Sequence, residues 1–227
     1  MKITERDIEL MGWILEQKFM TERQVRQVFW KGTTKKSRHT YKRLKELEKV
    51  GYLKTNKTGV FQDAVYMVRG EGVRQVRAFN QDQGLGELGD VGYSNYRHDL
   101  VVTDIRIMFH GLGYRQWLSE RVLSRRSDLR RIPDGMVFNN DRRLVVEYEL
   151  SQKSKRRYRN IFYNYELDNH VKKVLYIVNT PELIEKVFRE ASGCTKLHFV
   201  CLEDLKRGLI HARLKSVSGD PFFTEIF

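Results

Sequence analysis

The chain has 227 residues, room for one large or two small domains, and its 41% hydrophobic and 11% aromatic content can fill packed cores, which excludes a disordered or fibrous protein. A formal net charge of +13 points to a polyanionic partner, nucleic acid first. No apolar run reaches the length of a membrane span, the N-terminus lacks a signal-like apolar stretch, and Cys194 and Cys201 form no CxxC pair, so membrane insertion and a disulfide scaffold are excluded and a reducing, cytoplasmic setting is expected.

Charge is placed unevenly. Residues 1–77 carry 18 basic and 9 acidic groups, net +9, and 94–227 carry 24 and 17, net +7. The glycine-rich piece between them, 78–93, is net −3, and is expected to be a linker between two domains.

In the first segment Thr4 can cap a helix with Ile8, Met11, Ile14 and Leu15 at helical spacing, and Thr21 starts a second helix with Val25, Val28 and Phe29 on one side. A third helix, RHTYKRLKELEK, presents Tyr41, Leu44 and Leu47 inward and stops at Gly51. Two short strands follow, YLKTN and VFQDAVYMV, with Lys57-Thr58-Gly59 at the hairpin tip.

From Ser94, Leu100, Val101, Ile105, Met108 and Phe109 predict a helix ended by Gly111 to Gly113. The run YRQWLSERVL reads as a strand, a basic helix runs from Lys153 to about Leu167 with Tyr158, Ile161, Phe162 and Tyr165 inward, and VLYIV is a strong strand. Then come a helix beginning near Pro181, the strand LHFVCL and the short helix LEDLKRGL.

Within this order the stretch Arg131 to Lys155 carries the chemistry. Pro133-Asp134 opens one apolar run, Asn139-Asn140-Asp141 turns the chain, and Leu144 to Leu150 forms a second strand. Glu147 and Glu149, two residues apart, share a face of that strand, and Asp134 on its partner can face them. Val145 shares their parity while Val146, Tyr148 and Leu150 form the other face, so both faces are partly apolar and the acids need partners. Three carboxylates brought together repel unless a cation sits among them, and oxygen-only donors suit Mg²⁺ or Mn²⁺.

The first segment resembles the winged helix-turn-helix family. That resemblance implies that the third helix enters the major groove of DNA, with Lys35, Lys36, Arg38, His39, Lys42 and Arg43 near its start and outer face and Lys54 and Lys57 on the wing. The stretch 94–179, with its helix, three strands, helix and strand, resembles the PD-(D/E)xK restriction-endonuclease-like nucleases, which implies an αβββαβ core in a protein of α+β or α/β class. In that family the Asp and the first acid of the pair hold Mg²⁺, here Asp134 and Glu147. The third position, usually Lys, is Glu149, which can act as a ligand or base, and Lys153 or Lys155 can supply the displaced positive group. Glu120 matches an acid that many such nucleases bring from an earlier element, and His98 is a secondary candidate.

Taken together, the two segments resemble the replication-relaxation proteins and the C-type mobilisation relaxases of plasmids. The resemblance implies metal-dependent nicking of one DNA strand at an origin, with duplex and locally single-stranded DNA as partners and accessory mobilisation or coupling proteins beside them. Arg156 and Arg157 on the basic helix would guide the strand. The attacking group is water or a tyrosine, with Tyr93, Tyr96, Tyr158, Tyr163 and Tyr165 all available. Two other readings stay open: a non-catalytic DNA-binding regulator, and a hydrolytic restriction or repair nuclease that cuts both strands.

Overall fold

A computed structural model describes residues 2–32, 38–57, 63–79, 83–125, 129–140, 142–191 and 193–227. The protein is a mixed α+β chain of two compact units, Met1–Ile107 and Met108–Phe227. Among the described residues no helix is long and apolar enough to cross a membrane.

In the first unit the helix starts follow from capping chemistry. Helix α1 (Glu5–Glu16) opens on Thr4, whose hydroxyl accepts the Asp7 N–H while the Asp7 carboxylate accepts the Thr4 N–H; α2 (Glu22–Phe29) repeats the box with Thr21 and Gln24. Helix α3 (His39–Lys49) buries Thr40, Leu44 and Leu47. Tyr41, expected inside, is 44% exposed, because the stripe spaced by four and three residues runs through Thr40 and leaves Tyr41 a hundred degrees away. Gly51 ends α3 with φ +87°, a conformation that glycine adopts without strain.

A three-stranded antiparallel sheet, β1 (Met20–Thr21), β2 (Leu53–Asn56) and β3 (Val65–Val68) in the order β1-β3-β2, completes this region with one strand more than expected. The tip residues Thr58 and Gly59 lie outside the described residues. Helix α4 (Gly70–Ala78) was hidden in the sequence by two glycines, which weaken any helical reading. Gly72 is needed there: a Cβ would stand 2.4 Å from the Tyr52 carbonyl oxygen.

The described part of 78–93 is packed into this unit, contrary to the expected linker. Leu85 and Val91 are buried, the Gly70 N–H donates to Glu87 at 2.5 Å, and Lys54 Nζ donates to the Leu88 carbonyl at 3.1 Å. Most of helix α5 (Tyr96–Gly111) also belongs here, tied by Lys18–Asp99 at 3.1 Å, Arg23–Asp104 at 2.9 Å and Arg106–Glu16 at 2.8 Å. Those pairs account for the division falling after Ile107 rather than at 78–93.

The second unit is built on a six-stranded mixed sheet. Its strands are β4 (Gln116–Ser119), β5 (Gly135–Asn139), β6 (Arg142–Glu149), β7 (Val174–Val178), β8 (Leu197–Cys201) and β9 (Lys215–Ser216), in that spatial order. The β6, β7 and β8 strands are parallel, and the other neighbours are antiparallel. Every residue of β7 is buried, as a central parallel strand requires. The run read as one strand divides: β4 stops at Ser119 and a short helix, α6 (Glu120–Leu123), begins.

Helix α7 (Lys155–Leu167) is capped by Ser154 and packs Tyr158, Ile161, Phe162 and Tyr165 against Met136, Val145, Val174 and Tyr176. Helices α8 (Pro181–Phe188), α9 (Leu202–Gly208) and α10 (Phe223–Ile226) complete the unit. Each fully buried aliphatic or aromatic group in this layer contributes roughly 1.5–3 kcal/mol. The face of β6 that carries Glu147 and Glu149 is therefore covered by α7.

Candidate functional site

The acids come together through strand register. Gly135 pairs with Val146, so Asp134, one residue earlier, stands opposite Glu147; Ser119 pairs with Gly135, and the Glu120 N–H donates to the Asp134 carbonyl at 3.2 Å. Glu120 just past the end of β4, Asp134 just before β5 and Glu147 on β6 thus lie in neighbouring register, with Tyr176 opposite Glu147 on β7. Gly135 holds this row tight. A Cβ there would stand 2.0 Å from Trp117 Cζ2, so the indole on β4 lies against bare backbone immediately after Asp134.

Glu147 and Glu149 share the covered face, as their spacing predicts, and are 5% and 2% exposed. Each has taken a cation and a tyrosine. Arg131 Nε donates to Glu147 Oε1 at 2.8 Å, and the Tyr165 hydroxyl donates to the same oxygen. The Tyr176 hydroxyl donates to Glu149 Oε2 at 2.9 Å, and Lys153 Nζ meets the same oxygen. Asp134 Oδ2 accepts the backbone N–H of Tyr148 at 2.7 Å, which fixes its carboxylate beside β6.

Burial pushes the Glu147 carboxyl up to about 7, with the negative charge of Asp134 acting in the same direction and Arg131 and Tyr165 acting against both. Burial by itself would lower the Arg131 guanidinium, but the charge of Glu147 reverses that and raises it. Tyr165 and Tyr176 are pushed well above the usual phenol range, by burial first and by Glu147 second. Neither is a ready nucleophile, since forming a phenolate beside these acids is costly. Tyr158 is buried with its oxygen accepting the Lys153 N–H at 2.9 Å, whereas Tyr163 is 62% exposed.

The donors are hard oxygens, suited to Mg²⁺ or Mn²⁺. Even so, among the described residues no three His, Cys, Asp or Glu side chains gather closely enough to hold a metal ion. The expected cage of three carboxylates therefore does not form: Glu149 faces Lys153 and Tyr176, and what fits a divalent ion in part is the facing pair Asp134 and Glu147. Of the two lysines the resemblance offers as a displaced positive group, Lys153 reaches the acid row, at Glu149. Lys155 does not, being 80% exposed on its side chain and 3.9 Å from Glu190. Glu120 is exposed at the start of α6, with its backbone rather than its position on a surface tying it to Asp134. His98 belongs to the first unit, where its Nδ1 lies 3.3 Å from Asp99.

Arg131 is the functional candidate that sequence reasoning missed. Its signal was available: it lies two residues before Pro133-Asp134, and a buried strand acid demands a partner cation.

On the first unit the expected DNA-facing residues separate into two groups. Arg38, His39, Lys42 and Lys57 are exposed. Arg43 is spent inside, with Nε 2.9 Å and Nη2 2.5 Å from Asp7 and Nη1 2.7 Å from Glu46; Lys54 is spent on Leu88, Gly89 and Glu87. Lys35 and Lys36 lie outside the described residues. An open groove of about 390 Å³ lies beside α2 and α3, with Arg23, Arg26, Tyr41 and Lys57 among its lining. In the second unit Arg156 and Arg157 are exposed on the first turn of α7.

No curated protein and no solved structure matches the chain. A family profile described as replication-relaxation matches residues 11–175, which is more than half of the 227 residues and includes the first unit from the second half of α1 onward and the acid row. The chain belongs to the replication-relaxation family.

Proposed function

We propose that the protein binds DNA at an origin and nicks one strand there with the help of Mg²⁺ or Mn²⁺, in replication or plasmid mobilisation. The observation that carries this reading is the facing pair of a half-buried Asp134 and a buried Glu147, which opposes two negative charges on one sheet face and so favours an added positive charge. Support also comes from family membership, from the net charge of +13, and from an element order that, apart from the short α6, resembles that of the PD-(D/E)xK nucleases.

Asp134 and Glu147 would hold the ion, which when bound polarises the scissile phosphate and steadies charge on the leaving oxygen. The chain's own residues prepare the place. The Tyr148 N–H orients Asp134, Arg131 and Tyr165 orient Glu147, and the Lys153 ammonium offsets Glu149 and supplies positive charge beside the reacting phosphate. Arg156 and Arg157 meet the backbone of the strand, while the exposed Arg38, His39, Lys42 and Lys57 of a winged-helix-like first unit contact duplex phosphates.

One observation favours a second reading. Glu147 and Glu149 each already have a cation and a tyrosine, as acids do when they serve only to join a helix to a sheet in a DNA-binding regulator. Supercoiled plasmid carrying the cognate origin, incubated with the protein and Mg²⁺ or Mn²⁺, separates the two. Nicked circles that vanish with Glu147→Ala and with Asp134→Ala support the nickase. Binding without nicking by the folded wild type supports the regulator, and linear product supports a hydrolytic nuclease that cuts both strands.

A further inference from the structure

At the ends of β6 and β7 remote from Glu147 and Glu149, the second unit carries a basic groove. β6 begins on Arg142 and Arg143, and β7 is preceded by Lys172 and Lys173; because the strands run parallel with Val145 opposite Val174, both pairs fall at one end of the sheet. These four side chains, with His170 and Glu225, line an open groove of about 480 Å³. Arg142, Arg143 and Lys172 are exposed, and none of the four cations makes an ion pair among the described residues.

Among the described residues, two acids near this groove in the chain, Asp168 and Glu225, are turned to backbone. The Asp168 carboxylate accepts the His170 N–H at 2.9 Å and the Arg130 N–H at 3.1 Å, which shapes the turn leading to Lys172 and Lys173. The Glu225 carboxylate accepts the Phe222 N–H at 2.6 Å, and its carbonyl lies 3.4 Å from Lys173 Nζ. Four like charges gathered in one groove repel one another, and a chain of phosphates relieves that at several points at once, releasing its counterions as it does so.

Five strand steps separate Arg142 from Glu147, about 17 Å at roughly 3.3 Å per residue. With about 3.4 Å of rise per nucleotide, that is a reach of about five nucleotides. We propose that the groove of Arg142, Arg143, Lys172 and Lys173 holds backbone phosphates of bound DNA about five nucleotides away from the Asp134–Glu147 pair. The placement rests on the acid pair being where DNA is cut, whereas the groove's affinity for DNA does not.

The test is equilibrium binding of the full chain to labelled oligonucleotides in chelator, so that cleavage plays no part, across a salt series and across lengths extended stepwise on either side of the origin. The variant R142Q/R143Q/K172Q/K173Q is expected to bind the long oligonucleotide about tenfold or more weakly at low salt and to lower the log–log salt slope by about 3. It is also expected to lose the gain in affinity that the wild type shows when one flank grows by about five nucleotides. The charge-retaining R142K/R143K/K172R/K173R should keep slope and gain. An unchanged slope overturns the proposal, and so does a loss shared by the charge-retaining variant, which assigns the effect to packing. Equal loss on short and long oligonucleotides overturns the placement. A wild type that shows these slopes but nicks nothing removes the nuclease reading and leaves the groove standing.

Discussion

Asp7 in the first unit and Glu147 in the second are both buried acids paired with an arginine, yet their carboxyls move in opposite directions. Burial works to raise Asp7, but hydrogen bonds from Arg43 and from the Thr4 hydroxyl and N–H outweigh it and hold the group below its usual range. Glu147 has Arg131 and Tyr165, but it also has Asp134 facing it, and it is pushed up to about 7. Burial and a cation do not by themselves separate the two acids. A second carboxylate does, because it leaves at Glu147 a charge conflict that the fold has not resolved.

The largest expected effects test that distinction directly. In the nicking assay Glu147→Ala and Asp134→Ala should each lower activity by at least about 100-fold while the protein stays folded and binds DNA. Asp7→Ala should do the reverse: it removes a capping partner and strands Arg43, costing about 3 kcal/mol in urea unfolding, with activity per folded molecule unchanged. If Glu147→Ala unfolds the protein as Asp7→Ala does and nicking is never seen, the two acids are alike and the comparison fails.

Next in size is a pH effect, measured on metal-free protein. The folded-state Glu147 carboxyl lies near 7 and the unfolded one near 4.5, so the folded chain binds more protons between those values. Stability from this group is complete below about pH 4.5 and is lost as pH rises through about 7. Asp7 has the opposite sign, giving stability present above the ordinary carboxyl range and lost on acidification. Asp134→Asn should bring the Glu147 titration, followed by carboxyl NMR, to lower pH and flatten the decline toward neutrality. A Glu147 that titrates at the ordinary value in the wild type would show that the conflict with Asp134 is absent.

How much of this could be read from the sequence differs between the two acids. Glu147 and Glu149 alternate with apolar residues, so period two alone places them on one face, and the order of helices and strands from α5 to α9, apart from the short α6, follows from periodicity and turn residues. Their partners come from far along the chain. Tyr176 is 27 residues after Glu149, a distance over which no local pattern speaks, and Arg131, 16 before Glu147, is signalled only by its place beside Pro133-Asp134 and by the buried acid's need for a cation. For the same reason Arg43 looked like a DNA contact: the start of its helix is basic, and only tertiary packing brings Asp7 of α1 against it. The segment 78–93 looked like a linker because its composition is glycine-rich, whereas the buried Leu85 and Val91 and the bonds at Glu87 and Leu88 are long-range facts.

The smallest effect sharpens the comparison within one helix. Lys42 and Arg43 are neighbours in sequence and equally basic, but Lys42 is exposed and Arg43 is held by Asp7, Glu46 and the Lys2 carbonyl. If α3 meets DNA, Lys42 contributes one phosphate contact, so Lys42→Gln should lower the salt slope by just under 1 and weaken binding a fewfold, with the melting temperature unchanged. Arg43→Gln leaves the buried Asp7 without its main donors and should appear as a lower melting temperature instead, its slope equal to wild type when measured where the variant is folded. An Arg43→Gln that changes the slope and leaves stability alone would return Arg43 to the DNA-facing set. A Lys42→Gln that changes neither would take α3 off the duplex and leave the second unit's cations to account for the affinity.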